Sequence, residues 1–246
     1  MAGRRVGVAV FERLLPEGTV VVEGPVEEEP AFEALFPEER SLLVGAVVAR
    51  RREFAAGRRY ARRALVALGL PPVAIPAGPG REPRWPPGVT GSITHCQGYC
   101  AVGVGWQHAV GSLGIDLEVA EPLTSDVERL VCHPAERRRA AALRPHGPWT
   151  TVVFSAKESL YKAWFPLTRR WLDFHQVEVE IDPVRGDLVA RLERSAQAVL
   201  GAADGHVHGR FRVEGGYVAT AVAILGATPE GRGSVRRQSS IRPPYR

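Results

Sequence analysis

GYCAVGV (Gly98–Val104) and GYVATAV (Gly216–Val222) are two versions of one pattern: a turn glycine, a tyrosine, then small and β-branched residues. Each reads as the second strand of a hairpin, with GSITHC leading into the first copy and GRFRVE into the second. An arginine-rich helical pattern around Tyr60 and Ala61 precedes the first hairpin, and a second helical pattern, around Tyr161 and Lys162, precedes the second. The strands are offset by 118 residues and the helices by 101, so a duplication requires an insertion between the matched elements. Strand-turn-strand is common, and on spacing alone coincidence explains the echo as well as duplication does. As a duplication, it divides the chain into two α+β halves, 1–112 and 113–226, meeting near residue 112. A cleft between halves is a frequent place for a small ligand.

The rest of the pattern fits this division. Pro37 followed by Glu38 and Glu39 starts a helix. Helical spacing then continues, with room for a break, until Pro71 and Pro72 stop it. GSLGIDLEV and VEVEID read as strands, and PAERRRAAAL and FSAKESLYKAWF as helices. With 246 residues, 45% hydrophobic and 24% charged, the chain buries a substantial core. No apolar run approaches the ~18–20 residues of a membrane span, and Glu12 and Arg13 interrupt the opening segment, so a cytoplasmic protein is expected. Cys96, Cys100 and Cys132 form neither a disulfide framework nor a zinc pattern and are expected to be small packing residues. A net charge of +5 points to an anionic partner: a nucleic acid, a phosphorylated cofactor or an acidic protein. Part of that charge lies in residues 227–246, whose composition is that of a disordered basic tail.

Chemistry concentrates in three short segments. In Gly114-Ile115-Asp116-Leu117-Glu118-Val119 the apolar residues alternate with Asp116 and Glu118. Two residues apart on a strand, these carboxylates share a face at about 6.6 Å. They repel unless something positive lies beside them, and a hard divalent cation suits oxygen ligands. A solvated strand face is the plainer reading of such a pair. On a helix, Ser155, Glu158, Ser159 and Lys162 fall at i, i+3, i+4 and i+7 and form one polar stripe. A surface Glu–Lys pair accounts for the geometry but not for the choice of residue, because Lys157 and Lys162 are the only lysines among 32 basic residues. An ammonium is a compact charge that fits one phosphate oxygen, whereas a guanidinium prefers a flat two-pronged partner. The third segment, Gly91-Ser92-Ile93-Thr94-His95-Cys96, gathers two hydroxyls and an imidazole at the end of a strand.

Taken in order, GSITHC, GIDLE and FSAKESLYKAWF resemble the three signature motifs of the 4′-phosphopantetheinyl transferases. The class is the Sfp/EntD-like one, and the likeness is greatest to its actinobacterial members, which serve polyketide and siderophore synthesis. The similarity runs from about Phe36 to Leu225 and takes in FPEER, the arginine-rich helix and EPRWP. It implies an α+β fold of two pseudo-symmetric halves with the active site in the cleft between them. It also implies coenzyme A as substrate, a serine of an apo acyl or peptidyl carrier protein as acceptor, and release of 3′,5′-adenosine diphosphate. By position, Asp116, Glu118 and Glu158 would hold magnesium, or manganese, on the diphosphate. Lys162 would contact the phosphate at which charge develops, with Lys157 nearby. His95, Arg50 and Arg58 would bind nucleotide phosphates, supported by Ser92 and Thr94. Related sequences often carry a lysine in the loop before EPRWP; here the loop reads GPGREP, which makes Arg81 the substitute. Glu158 would be the general base or a metal ligand only. A monomer is expected, partnered by neither nucleic acid nor membrane, and residues 119–143 are the candidate carrier-docking region. Two rivals share some of these features. One is a metal-dependent phosphohydrolase using the same carboxylates; the other is a nucleic-acid module, against which stand scattered arginines and the absence of a stacking motif.

Overall fold

In the computed structural model, residues 9–27, 32–143, 145–200 and 205–225 are described; the basic segment 227–246 lies outside them. In chain order the elements are β1 (Thr19–Pro25), α1 (Pro37–Arg40), α2 (Val48–Ala67), β2 (Val89–Cys96), β3 (Tyr99–Trp106), α3 (Gln107–Val110) and β4 (Ser112–Val119). Then come α4 (Ser125–Val131), α5 (Pro134–Ala142), α6 (Trp149–Thr168), β5 (Val177–Asp182), β6 (Asp187–Leu192), α7 (Arg194–Leu200), β7 (His206–Glu214) and β8 (Tyr217–Ile224). The helix begun at Pro37 breaks at Gly45, whose φ of 76° no L side chain adopts easily, and resumes as the 20-residue α2. No described helix is long and apolar enough to cross a membrane.

Strands form two antiparallel sheets, ordered β1-β3-β2 and β4-β8-β7-β6-β5. Within each half, the first strand pairs with the last, a 20-residue helix intervenes, and a hairpin closes the unit: β1-α2-β2-β3 and β4-α6-β7-β8. Tyr99 and Tyr217, which open the two echoed strands, occupy matching positions and pack with ring centroids 5.4 Å apart. The differing offsets arise because β5, β6 and α7 are inserted between the helix and hairpin of the second unit. Each unit buries the inner face of its helix against its own sheet. Tyr60, Ala61, Ala64 and Leu65 of α2 meet Val102 and Val104. Val152, Ala156, Leu160, Ala163 and Trp164 of α6 meet Val207, Phe211, Val218 and Val222. Cys100 and Cys132 are buried and all three cysteines are free thiols, as expected of packing residues.

The two sheets meet along β2 and β4 through side chains instead of a main-chain ladder. The Ile115 N–H donates to Ser92 Oγ and the Leu117 N–H to Thr94 Oγ1, each at 3.1 Å. Hydroxyls at alternate positions thus satisfy buried strand donors. The matching positions in the second unit are Arg210 and Arg212, whose guanidiniums donate to the carbonyls of Arg13 and Ala9 at 3.3 and 3.4 Å.

Gly114 sets how closely α6 approaches β4. A Cβ there would sit 1.9 Å from Ser159 O and 2.8 Å from Ala163 N, both backbone atoms that cannot rotate away. Gly114→Ala is therefore expected to lower stability by about 3 kcal/mol, the upper end for overpacking, read as a fall in the urea midpoint at unchanged m-value. An unaffected midpoint would mean that the helix can lift off the strand.

Candidate active site

Close packing of α6 on β4 brings Ser155 and Lys162, 39 and 46 residues away in the chain, onto the carboxylate of Asp116. Asp116 is 4% exposed and receives Lys162 Nζ on Oδ1 at 2.6 Å and Ser155 Oγ on Oδ2 at 2.8 Å. Thr94 Oγ1 lies 3.4 Å from Oδ1, and the Lys162 ammonium also reaches Ile115 O at 3.2 Å. Behind this layer, Thr220 of β8 binds the Ser155 and Ser159 hydroxyls at 2.9 and 2.6 Å, locking the face of α6 that carries the stripe. The stripe is therefore an interior network, with only Glu158 and Lys162 reaching solvent; Ser155 and Ser159 are fully buried.

Glu118 and Glu158 flank Asp116 and are half-buried. Burial, the charge of Asp116 and that of Glu158 push Glu118 up to about 7, against the pull of Lys162. Glu158 is raised by burial and then by Asp116, again opposed by Lys162. The three acids are thus electrostatic neighbours sharing one ammonium, with surplus negative charge. Their oxygens are not gathered on one point: among the described residues no three His, Cys, Asp or Glu side chains are arranged to hold a metal ion. The expected convergence holds for the side of the cleft, not for a closed ligand set. Asp116 already engages both oxygens with Lys162 and Ser155.

Beyond Thr94, near the end of β2, His95 opens onto a cavity of about 380 Å³. Arg50, Arg58, Arg81 and His95, the four cationic or imidazole groups proposed for nucleotide phosphates, all line it, together with Phe54 and Glu53. A guanidinium only donates, so Arg50 Nη1 at 3.0 Å assigns His95 Nε2 as acceptor and puts the ring proton on Nδ1, which faces Glu53 Oε2 at 3.5 Å. Burial holds His95 below its usual range, with Glu53 opposing and Arg50 and Lys162 reinforcing the shift, so the ring is neutral near pH 7. Arg58 lies 4.2 Å over the Phe54 ring and is 6% exposed. Arg81 enters from the loop before β2 with φ of 65°. A larger groove of about 560 Å³ lies between residues 14–17 and β6–β8 but contains none of the acidic residues around Lys162.

Two expected site residues stand elsewhere. Lys157 does not face the cleft: its ammonium is buried and bound by Glu136 Oε2 at 2.8 Å, Val131 O at 2.8 Å and Phe174 O at 3.0 Å. One residue before Glu158 on a helix is a turn of about 100°, enough to point it into the core behind α5. Ser92, 3% exposed, uses its hydroxyl on the β2–β4 junction and acts on strand placement, not on a ligand. Glu53 and Thr220 had not been singled out in the sequence. Thr220 had a signal, as the one aliphatic hydroxyl in the run YVATAVAI, directly opposite Asp116 in the sheet. Glu53 had none, since one acid among arginines on α2 reads as an ordinary surface pair.

Residues 38–105 match the family model of the 4′-phosphopantetheinyl transferase N-terminal domain, and residues 112–222 that of the 4′-phosphopantetheinyl transferase superfamily. The chain is 44% identical over 200 residues to the 4′-phosphopantetheinyl transferase Svp of Streptomyces mobaraensis, covering 80% of each chain. It is 41% identical over 193 residues to PptT of Mycobacterium tuberculosis, covering 76% of this chain and 85% of the relative. With Npt of Nocardia iowensis the identity is 37% over 222 residues, covering 87% and 99%. The two matched segments hold every group of the cleft, from Arg50 to His95 on one side and from Asp116 to Thr220 on the other, and the chain belongs to the 4′-phosphopantetheinyl transferase superfamily.

Proposed function

We propose that the protein transfers the 4′-phosphopantetheine group of coenzyme A to a serine of an apo acyl or peptidyl carrier protein, releasing 3′,5′-adenosine diphosphate. The observation that carries this reading is the adjacency of two unlike sites along β2. His95 lines a cavity shared with Arg50, Arg58 and Arg81, and its chain neighbour Thr94 has its hydroxyl 3.4 Å from Asp116, beside Glu118, Glu158 and Lys162. The first suits the phosphates of a nucleotide, the second a diphosphate at which a hydroxyl attacks.

In this reading Lys162 gives charge to the phosphoryl oxygen on which negative charge grows. Asp116 holds that ammonium in place, and Thr94 and Ile115 O complete its surroundings. Glu158 and Glu118, both raised by burial, accept the serine proton more readily than ordinary carboxylates do. In the kind of donor and the surplus charge, though not in the arrangement of their oxygens, Asp116, Glu118 and Glu158 suit magnesium or manganese, and these three residues would hold it. A bound ion would supply charge that offsets repulsion between the diphosphate and these carboxylates and would favour departure of the leaving group. Chelation by EDTA should then abolish transfer and added magnesium or manganese restore it; full activity in EDTA would remove the ion from the scheme.

The acceptor docks on α4–α5, where α4 exposes Leu130 (68%) and Arg129 and α5 exposes Arg138 and Arg139, suited to an acidic, partly apolar surface. The protein works as a monomer in the cytoplasm. Incubation with coenzyme A, magnesium and several apo carriers, followed by intact-mass measurement, tests the whole reading: carriers gain phosphopantetheine, and unchanged mass for all of them rejects it. Loss of coenzyme A without carrier would favour a hydrolase instead. Lys162→Arg should slow transfer about 10-fold, less than the ~10²–10³ that follows loss of a charged donor, because a flat guanidinium cannot take the ammonium's place among Asp116, Thr94 and Ile115 O. An undiminished rate would assign Lys162 to structure.

A further inference from the structure

Glu39 has no part in the chemistry above, yet it is fully buried beside an arginine-lined cavity. As the third residue of α1 it accepts the Phe36 N–H on Oε2 at 3.0 Å, which caps that short helix. Its other oxygen accepts the Ile75 N–H at 2.9 Å, from the segment leading to Ala77 and Arg81 on the cavity wall. Arg62 Nη1 donates to both oxygens, at 3.1 and 2.8 Å. Arg58 Nε stands 3.9 Å from Oε1 and has no hydrogen-bond partner, although it is buried.

Arg50, Arg58 and Arg62 repel one another. Burial, with Arg50 and Arg62 beside it, draws Arg58 down to about 10, and Glu39 is the largest influence pulling it back, ahead of Cys100. One buried carboxylate therefore serves two ends: it offsets part of this repulsion and ties α1, α2 and the segment at Ile75 to one point. A glutamine has a single acceptor oxygen and would turn an amide N–H₂ toward either a backbone N–H or the Arg62 guanidinium.

We propose that Glu39 is a positioning residue of the anion-binding cavity, setting the place of Arg58 on its wall and of the segment that carries Arg81, without touching the ligand. The inference rests on the reading that coenzyme A phosphates occupy this cavity.

The test is a double-mutant cycle of Glu39→Gln and Arg58→Met with coenzyme A varied at saturating carrier. Glu39→Gln is expected to raise KM about tenfold with kcat within about twofold, and to add a clearly smaller rise in the Arg58→Met background, where only the segment at Ile75 is still lost. Equal, independent effects in both backgrounds, or a loss confined to kcat, would show a general structural role and overturn the proposal. Tighter nucleotide binding after removal of the negative charge would overturn it too. If Glu39→Gln does not fold, Arg62→Met leaves Glu39 facing Arg58 as its remaining guanidinium and should keep KM within about twofold; a tenfold rise there also counts against the proposal. Calorimetric titration with adenosine 3′,5′-bisphosphate follows the same cycle without turnover. Wild-type protein that binds this nucleotide but transfers nothing would remove the proposed function, while the binding cycle would still decide the role of Glu39.

Discussion

Asp116→Asn is expected to lower phosphopantetheine transfer by about 10³-fold, the upper range for loss of one electrostatic contact at a reacting centre, while the protein stays folded. The amide has the shape of the carboxylate. Its oxygen can still accept from Lys162, and its N–H₂ can donate to Ser155 Oγ, a hydroxyl free to turn and accept. What disappears is one negative charge, at the point where the ammonium is held and the proposed ion would bind. Circular dichroism and the thermal midpoint should therefore change little, because Lys162 is 28% exposed and keeps a solvated alternative. Asp116→Ala is the less informative variant, since it also leaves the buried Ser155 hydroxyl without its acceptor on this side. Retention of more than about a tenth of wild-type transfer by Asp116→Asn would place the chemistry elsewhere in the cleft.

Much of this site was legible in the sequence because it depends on short-range spacing. Alternation in GIDLE put Asp116 and Glu118 on one face, helical spacing put Glu158 and Lys162 on one stripe, and the GY echo implied two like units. The partners across each interface were not legible. Spacing says that Ser155 and Ser159 share a side of α6, but only the packing of that side on Gly114 and Thr220 makes them interior. Glu39, in FPEER, reads as an acid at a helix start; Ile75 and Arg62 reach it from segments that the sequence leaves unpaired. Lysine scarcity was read as favouring a phosphate site for both ammonium groups, but the two stand in different surroundings. Lys162 meets a carboxylate at the cleft, whereas Lys157 meets three oxygens in the core.

Lys157→Met should then destabilise the fold by about 3–5 kcal/mol, the cost of breaking a buried ion pair and leaving one charge behind. Glu136 is 1% exposed and cannot simply be abandoned: its oxygens also accept from Val179 N and His133 N, both at 2.6 Å. These bonds tie β5 and the start of α5 to the centre that Lys157 anchors from α6. An ammonium suits this place because its three N–H groups reach Val131 O, Glu136 Oε2 and Phe174 O in three directions, a geometry that the planar guanidinium of arginine cannot copy. Lys157→Arg is therefore also expected to destabilise, though by less. Urea unfolding measures both, and the coenzyme A KM of the folded fraction separates the two possible roles of this lysine. A structural Lys157 leaves KM unchanged while stability collapses. A raised KM at full stability would return the ammonium to the phosphates.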